Sequence, residues 1–380
     1  MRSSRSSPSG RRLGYEPSPL RGPGRIVTVM DAHQPESGIV AVTPAAPTST
    51  RLVVAAGEAT DRLQLLQHHA ICTMPAPWAL VCAAAAAPAH LIMAGAVERA
   101  DLEALAAAVP ADVTAVVGVG AGTCVDTAKF LAGTLRLDLL QIPTAVSSDA
   151  PFTSSYRLRE HGHVRRGGDI RPVDVVIDPL VILQAPPGLN RAGVGDVLAC
   201  HTALYDWRLA ARTGAGAGWD ARVAAAGLRL LDQLEFALAD IAAVSVEGIV
   251  QLARTHRTLA ELRERGGLRV VEGSEHALAA VIEWLTGRRF IHGRLVAMCT
   301  VAIAQVQGND PDRVARIVAG SLIDAAPAGL GIDRQLFRRA IAELPAYCRR
   351  ERLPAGVVDL VELTPALADE MFDRVCEVTG

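Results

Sequence analysis

Hydrophobic positions follow two different patterns along the chain. Up to about residue 186, short apolar runs rich in β-branched residues alternate with stretches of helical periodicity. This alternation is typical of a parallel sheet with helices packed on its faces. The predicted strands are 52–56, 78–82, 90–93, 113–119, 139–142 and 173–177, and the predicted helices between them are 59–69 and 98–109.

Beyond Pro187 the strand pattern ends, and apolar residues recur three and four positions apart. The predicted helices lie at about 194–212, 219–242, 246–264, 274–286, 293–307, 311–323, 333–349 and 355–376. We therefore expect a Rossmann-like α/β domain with a parallel sheet over residues 51–186 and an all-helical domain over 187–380. Small molecules tend to bind in the cleft between two such bodies.

The first 50 residues follow neither pattern. They are rich in Ser, Pro, Gly and Arg, which predicts a disordered extension, and Met30 within it is an alternative start. No apolar segment follows its arginines, and three prolines break the uncharged stretch 71–97. Neither a secretory signal nor a membrane span is expected.

Charge and cysteine content narrow the function classes. The chain has 38 basic and 40 acidic residues, a net charge of −2, so no global basic field is available for nucleic acid. Its seven cysteines have no paired spacing, which favours free thiols in a reducing cytoplasm. All basic residues but one are arginine, and Lys129 is the exception. Because ammonium and guanidinium groups are not interchangeable in a confined site, Lys129 should have a specific local role.

A glycine-rich turn joins a predicted strand to a helix start at residues 115–129. Gly120 and Gly122 let the backbone approach a ligand, and amides at the helix N-terminus favour a phosphate. A purely structural alternative is open: Thr123 caps the helix, Asp126 completes a capping box, and Lys129 pairs with Asp126.

A hydroxyl-rich loop follows the next strand. Thr144, Ser147, Ser148 and Asp149 lie at the carboxyl end of a parallel strand, which is the edge that faces ligands in open α/β sheets. Hydroxyl groups there suit ribose, phosphate or a polyol, and Asp149 could hold a substrate hydroxyl. Turn capping is the alternative for each serine. Four arginines further on, at 157, 159, 165 and 166, could meet a phosphate, but an exposed basic loop is the expectation.

Three residues of the helical half could meet at a metal. Asp196, His276 and His292 offer one carboxylate and two imidazoles, which leave a position for substrate and so suit a catalytic zinc or iron site. Spacings of 80 and 16 residues carry no specificity of their own. Ordinary surface or core histidines are the alternative.

Together these segments resemble the superfamily of metal-dependent polyol dehydrogenases that includes glycerol dehydrogenase, iron-containing alcohol dehydrogenase and dehydroquinate synthase. The glycerol-1-phosphate dehydrogenase branch is the most similar. The likeness runs from about residue 52 to 350 and rests on motifs in the same order as in the family. These motifs are GVGAGTCVDTAK at 118–129, IPTAVSSDA at 142–150, VVIDPL at 175–180, AGVGDVLACHTALYDWRLA at 192–210, GSEH at 273–276 and HG at 292–293.

The resemblance implies a dehydroquinate synthase-like fold and hydride transfer between NAD or NADP and a small polyol, phosphopolyol or ketone. Asp149 would hold the substrate, and Zn²⁺, or another divalent metal such as Fe²⁺ or Ni²⁺, would bind Asp196, His276 and His292. It also implies a homo-oligomer. The implied cofactor contacts are Gly120, Ala121, Gly122, Thr123, Asp126, Lys129, Thr144 and Ser147.

This sequence departs from the family pattern at several positions. No carboxylate follows the predicted second strand, where relatives often bind the adenosine ribose, and Ala121 replaces a usual glycine. Ala279 and Ala280 replace a serine–histidine pair. Two alternatives therefore stay open: a metal-dependent cyclase or lyase of specialised metabolism with altered or lost dinucleotide use, and a non-enzymatic scaffold.

Overall fold

The computed structural model describes residues 50–95, 98–160, 163–216 and 218–380. All of the predicted disordered extension except residue 50 therefore lies outside the described residues. No helix in the described part is long and apolar enough to cross a membrane.

A six-stranded parallel sheet forms the first half of the described chain. Its strands run in the order β1-β8-β5-β4-β2-β3, and a separate antiparallel hairpin, β6–β7, follows β5. The buried, β-branched residues of the central strands suit a sheet covered on both faces. The strands are β1 Arg51–Val54, β2 His69–Thr73, β3 His90–Met93, β4 Ala115–Gly120, β5 Asp138–Pro143, β6 Tyr156–Glu160, β7 His163–Gly167 and β8 Asp174–Ile177.

Helices connect the strands and cover both faces of the sheet. Apolar side chains pack in one core cluster on each face, and a third cluster joins the β1–β8 edge to the helical half. The helices from the start of the described chain to Ala192 are α1 Glu58–Leu65, α2 Pro75–Val81, α3 Arg99–Ala107, α4 Gly122–Leu135, α5 Pro179–Ile182 and α6 Pro187–Ala192.

The second half is helical, as predicted. Twelve of the sixteen residues of its central helix, α13, are buried, so the other helices pack around it. The helices are α7 Val194–Leu198, α8 Cys200–Thr213, α9 Ala221–Phe236, α10 Leu238–Ala243, α11 Val246–Gly266, α12 Ser274–Thr286, α13 His292–Gln307, α14 Pro311–Ser321, α15 Pro327–Leu330, α16 Arg334–Glu351 and α17 Pro365–Thr379.

The sequence misassigned the region around the second strand. Residues 78–82, predicted as a strand, lie mostly in α2, which begins at Pro75 because proline suits the first helical turn. The real second strand is β2, whose first residue, His69, was predicted as the end of a helix and whose other residues were assigned to no element. The absence of a carboxylate still holds at this strand, because Met74 and Pro75 follow it.

The structure also differs from the predicted elements at a hairpin and at the start of the last helix. The hairpin β6–β7 was not predicted, because charged and polar residues dominate both short strands and Tyr156, Leu158 and Val164 are their only large apolar residues. The last helix begins at Pro365 rather than near 355, since Thr364 caps it by accepting a hydrogen bond from the amide of Leu367.

Candidate active site

A cavity of about 570 Å³ lies between the carboxyl edge of the sheet and the helical half. Residues that follow β4 and β5 line one side, and residues of α7, α11 and the segment before α13 line the other. This is the cleft that the sequence predicted. Gly122, Thr144 and Asp149 are on the sheet side, and Asp196 and His292 are on the helical side.

Asp196, His276 and His292 come together at this cavity. One potential ligand atom from each lies within 4.8 Å of the others. Asp196 Oδ1 is 3.4 Å from His292 Nε2, and this oxygen is buried without a hydrogen-bond donor. A buried carboxylate oxygen without a donor costs free energy unless a cation meets it. The geometry and the chemistry of this set therefore fit a divalent metal.

A close contact between backbone segments brings Asp196 and His292 together. Gly195 precedes Asp196 at the start of α7, and Gly293 follows His292 at the start of α13. A Cβ at Gly195 would lie 2.6 Å from the carbonyl carbon of Gly293, and one at Gly293 would lie 2.7 Å from that of Ala192. Packed carbons are normally about 3.5–4.0 Å apart. Only glycine fits at both positions.

His276 is oriented by its neighbour in the sequence. Its Nδ1 is 2.9 Å from Oε1 of Glu275, a fully buried carboxylate. Glu275 also accepts hydrogen bonds from the amide of Gly273 at 2.7 Å and from Oγ1 of Thr202 at 2.7 Å. A carboxylate bonded to one ring nitrogen leaves Nε2 as the nitrogen available to a metal.

Burial shifts the proton affinities of this set. It raises the pKa of Asp196 to about 6, and the nearby Asp149 carboxylate adds to the shift. Burial lowers the pKa of His292 well below its usual range, and neighbouring cations lower it further. For His276, burial acts to lower the pKa, but the hydrogen bond to Glu275 and the surrounding carboxylates raise it overall. His292 is therefore neutral at pH 7, the form that binds a metal.

Arginines surround the metal set. Arg157, on β6, places Nη1 3.3 Å from His292 Nε2 and donates through Nη2 to Glu272 at 3.1 Å. Arg166, on β7, also pairs with Glu272. Although burial acts to raise the pKa of Glu272, Arg157 and other neighbouring cations hold it well below its usual value. The expectation of an exposed basic loop is wrong for Arg157 and Arg159, which line the cavity.

Asp149 lies between the metal set and the sheet. Its Oδ2 accepts from Nη1 of Arg263 at 3.2 Å, and its amide lies 3.4 Å from Asp196 Oδ2. Arg263 also reaches Ser155 Oγ at 3.4 Å. Asp149 is thus fixed beside a potential metal ligand, with its side chain at the cavity.

The glycine turn lies at the opposite part of the same cavity. Gly120 has a φ of +144°, and a Cβ there would lie 2.5 Å from Cys124 Sγ, so this position requires glycine. The helix α4 begins at Gly122 with Ala121 as N-cap, and no side chain caps it. The structural alternative, a capping box formed by Thr123 and Asp126, is therefore wrong. The amides of Gly122 and Thr123, at the start of this helix, stay available to an anion, whereas the amide of Cys124 donates to the carbonyl of Ala121.

Lys129 has a different role from the predicted contact with a cofactor phosphate. Its side chain is fully buried and does not line the cavity. Nζ donates to the carbonyl of Ala150 at 2.5 Å, to Oγ1 of Thr153 at 3.0 Å and to the carbonyl of Ser155 at 2.8 Å. Asp126 Oδ1 is 4.0 Å away. The lone lysine therefore holds the segment that follows Asp149.

Of the other predicted cofactor contacts, all but Gly120 line the cavity. Ala121, Gly122, Thr123, Asp126, Thr144 and Ser147 all line it. The amide of Thr144 donates to the carbonyl of Gly120 at 3.2 Å, which joins the hydroxyl-rich loop to the glycine turn. Ser148 accepts from the amide of Ala150 at 3.4 Å, so the turn-capping alternative holds for this serine.

Known proteins are similar to this chain in sequence and in fold. Residues 39–186 match the family described as iron-containing alcohol dehydrogenase. The glycerol-1-phosphate dehydrogenase [NAD(P)+] of Pyrobaculum arsenaticum is 30% identical over 237 residues, which cover 60% of this chain and 68% of that protein. The chain belongs to the iron-containing alcohol dehydrogenase family.

A second relative and two solved structures are also similar to this chain. The glycerol-1-phosphate dehydrogenase [NAD(P)+] of Hyperthermus butylicus is 29% identical over 274 residues, which cover 70% of this chain and 74% of that protein. Among solved structures, a probable glycerol dehydrogenase from Sinorhizobium meliloti superposes with a TM-score of 0.68 at 19% identity, over 89% of this chain and 99% of that one. A maleylacetate reductase from Agrobacterium tumefaciens gives 0.66 at 16% identity, over 89% and 98%. At these identities the structures establish the fold.

Several residues of the site were not identified from the sequence. Glu275 had one available signal, since it adjoins His276 and can orient it. Arg263 had none, because it meets Asp149 from 114 residues away. Arg289, which hydrogen-bonds to Thr123, was missed for the same reason.

Proposed function

We propose that this protein is a metal- and NAD(P)-dependent dehydrogenase that interconverts a small phosphorylated ketone and its alcohol. The observation that carries the proposal is that one cavity is lined by the uncapped glycine turn and by Asp196 and His292, and that His276 offers a ligand atom within 4.8 Å of both. In this proposal residues 51–186 bind the dinucleotide and residues 187–380 bind the metal and substrate. Relatives named glycerol-1-phosphate dehydrogenase [NAD(P)+] support the choice of reaction.

The metal would bind Asp196, His276 and His292. The donor-free Oδ1 of Asp196 supports this role, as does the carboxylate that orients His276. One carboxylate and two imidazoles suit Zn²⁺ or Fe²⁺, and Ni²⁺ is a third candidate. When bound, a divalent metal polarises a substrate oxygen, and reduced nicotinamide supplies a hydride.

The dinucleotide would lie across the turn formed by Gly120, Ala121, Gly122 and Thr123. A side chain at Gly122 would project into open space, so glycine there leaves the first turn of α4 accessible. Its amides would bind the pyrophosphate. Asp126, Thr144 and Ser147 line the same wall and would contact the rest of the cofactor.

The arginines around the metal set favour an anionic substrate. Arg157, Arg166 and Arg263 carry three positive charges, and their two carboxylate partners are Glu272 and Asp149. A divalent metal with a single carboxylate ligand adds a further positive charge. A substrate phosphate would offset this surplus through charge-assisted hydrogen bonds. Asp149, held by Arg263, would accept a hydrogen bond from a substrate hydroxyl and orient it.

The test combines metal analysis with dinucleotide binding. Purified protein should contain about one divalent metal per chain, bind NADH or NADPH, and consume it with dihydroxyacetone phosphate faster than with dihydroxyacetone. His276→Ala should lose metal and turnover. His68→Ala is the matched control, because the exposed side chain of His68 pairs with Asp112 and does not line the cavity. A protein that binds metal but neither dinucleotide would refute the dehydrogenase and favour the cyclase or lyase.

Two further expectations belong to this proposal. A homo-oligomer is expected, and light scattering of the purified protein tests it. A cytoplasmic location is also expected. All seven cysteines are free, which supports a reducing environment. Fractionation of the source cells tests that location.

A further inference from the structure

Arg289 connects the helical half to the glycine turn. It lies between α12 and α13, three residues before His292, and its guanidinium lines the cavity. Nη2 donates to Thr123 Oγ1 at 3.0 Å, and Nη1 donates to the carbonyl of Gly95 at 3.3 Å. One side chain therefore spans the cleft, from the segment that presents a metal ligand to the turn proposed to bind the cofactor.

The glycine turn lacks a cation of its own. No basic residue occurs from Gly118 to Ala128, and the ammonium of Lys129 is fully used by the loop after Asp149. A dinucleotide pyrophosphate carries two negative charges. At this turn only uncharged groups, the backbone amides and the hydroxyl of Thr123, could bind it. Another part of the molecule must supply positive charge if the cofactor is to bind tightly.

Arg289 is well placed to supply that charge. Four arginines line the cavity in the described part of the chain, and three of them, Arg157, Arg159 and Arg263, lie within 4.0 Å of carboxylates. Both hydrogen bonds that the structure shows for Arg289 go instead to uncharged oxygens. Glu283, in the same cavity lining, acts on Arg289 electrostatically, but the structure shows no ion pair between them. A guanidinium that is not paired with a carboxylate attracts phosphate, and its planar fork suits phosphate oxygens.

We propose that Arg289 is a phosphate ligand of the dinucleotide, supplied to the glycine turn by the helical half. This inference rests on the proposed function, since it assumes a dinucleotide at the turn. The guanidinium of Arg289 could bind either of two phosphate groups: the pyrophosphate, which NAD and NADP share, or the 2′-phosphate, which only NADP has. No carboxylate follows β2 to repel a 2′-phosphate, so either source is compatible with the site.

The experiment measures ligand binding to zinc-loaded protein by titration calorimetry, without turnover. The probes are ADP-ribose, which has the pyrophosphate, and 2′-phospho-ADP-ribose, which has both. Arg289→Ala is compared with Arg288→Ala. Arg288 is the matched control because it is the neighbouring arginine and does not line the cavity. Its guanidinium donates to the carbonyls of Leu330 and Gly331 and lies over the ring of Phe290.

Arg289→Ala should weaken binding about tenfold to a hundredfold, since a charged hydrogen bond is lost, and Arg288→Ala should stay within about twofold of wild type. Arg289→Lys should recover part of the loss, and the salt dependence of Kd should be shallower in Arg289→Ala. A fold-loss of the same size for both probes assigns the pyrophosphate, and a loss confined to 2′-phospho-ADP-ribose assigns the 2′-phosphate.

Two results would overturn the inference, and they differ in what else they overturn. If wild-type protein binds both probes and Arg289→Ala binds them equally well, Arg289 is not a phosphate ligand, while the proposed dehydrogenase stands. If wild-type protein binds neither probe, the dinucleotide site itself is absent, and the proposed function fails together with this inference.

Discussion

The contact between Gly293 and Ala192 should control metal binding. In Gly293→Ala, the new Cβ would lie 2.7 Å from the carbonyl carbon of Ala192, with the carbonyl oxygen nearer still. Because packed carbons lie about 3.5–4.0 Å apart, the start of α13 must move away by about 1 Å. His292 is the adjacent residue and would move with it. The distance between His292 and Asp196, on α7, would change by a similar amount.

A displacement of this size should have a large effect on metal affinity and a moderate effect on the free energy of unfolding. Ligand distances in metal sites are held to about 0.2 Å, so a shift of about 1 Å should weaken metal binding by a hundredfold or more. Overpacking of a core contact costs about 1–3 kcal/mol of unfolding free energy, which a domain with this large a core should survive. Gly293→Ala should therefore be folded, somewhat less stable and poor in metal.

The assay is competition for Zn²⁺ against a chromophoric chelator, with thermal unfolding of metal-free protein measured in parallel. Gly188→Ala is the matched control, because Gly188 is also in a helix, α6, and a Cβ there meets nothing within 4 Å. It should keep the wild-type metal affinity and gain slightly in stability. Wild-type zinc affinity in Gly293→Ala would show that the backbone contact does not fix the ligand pair.

Other predictions concern the residues that support the site. Glu275→Gln should lower zinc affinity about tenfold to a hundredfold, because an amide is a weaker partner for His276; an unchanged value in the same chelator assay would mean that Glu275 does not orient that ring. Lys129→Met should lower kcat at unchanged metal content, since the segment after Asp149 loses three hydrogen bonds; unchanged kcat in steady-state assays would contradict this positioning role. Burial lowers the pKa of Lys129 from 10.5 to about 8, so between these pH values the unfolded chain binds more protons than the native protein. The unfolding free energy of wild type relative to Lys129→Met should therefore rise from pH 7.5 to 10, by up to about 3 kcal/mol in urea titrations, and a flat difference would argue against the shift.

The sequence predicted the elements whose signals are local. Alternating apolar runs identified β1, β3, β4, β5 and β8, and helical spacing identified the second half. The region around β2 failed because His69–Thr73 directly follows α1, and because the uncharged residues after it suit a buried strand as well as a helix. Pro75 was the available signal for a helix start.

The site could be predicted only in part, for a physical reason. Asp196, His276 and His292 are brought together by helix packing, to which their sequence spacing gives no clue; the motifs shared with the family placed them. Lys129 was misassigned because a motif gives a position in the chain and not the direction of a side chain. Its ammonium enters the protein interior, whereas the amides of Gly122 and its neighbours stay at the cavity.

The burial of Lys129 makes the protein a convenient reporter of its own unfolding. It is the chain's only lysine, and in the native state its amine is enclosed by carbonyl and hydroxyl oxygens. An acylating reagent can modify this side chain only when the surrounding structure opens. The rate at which Lys129 is acylated, followed by peptide mapping, thus measures how often the structure around α4 opens.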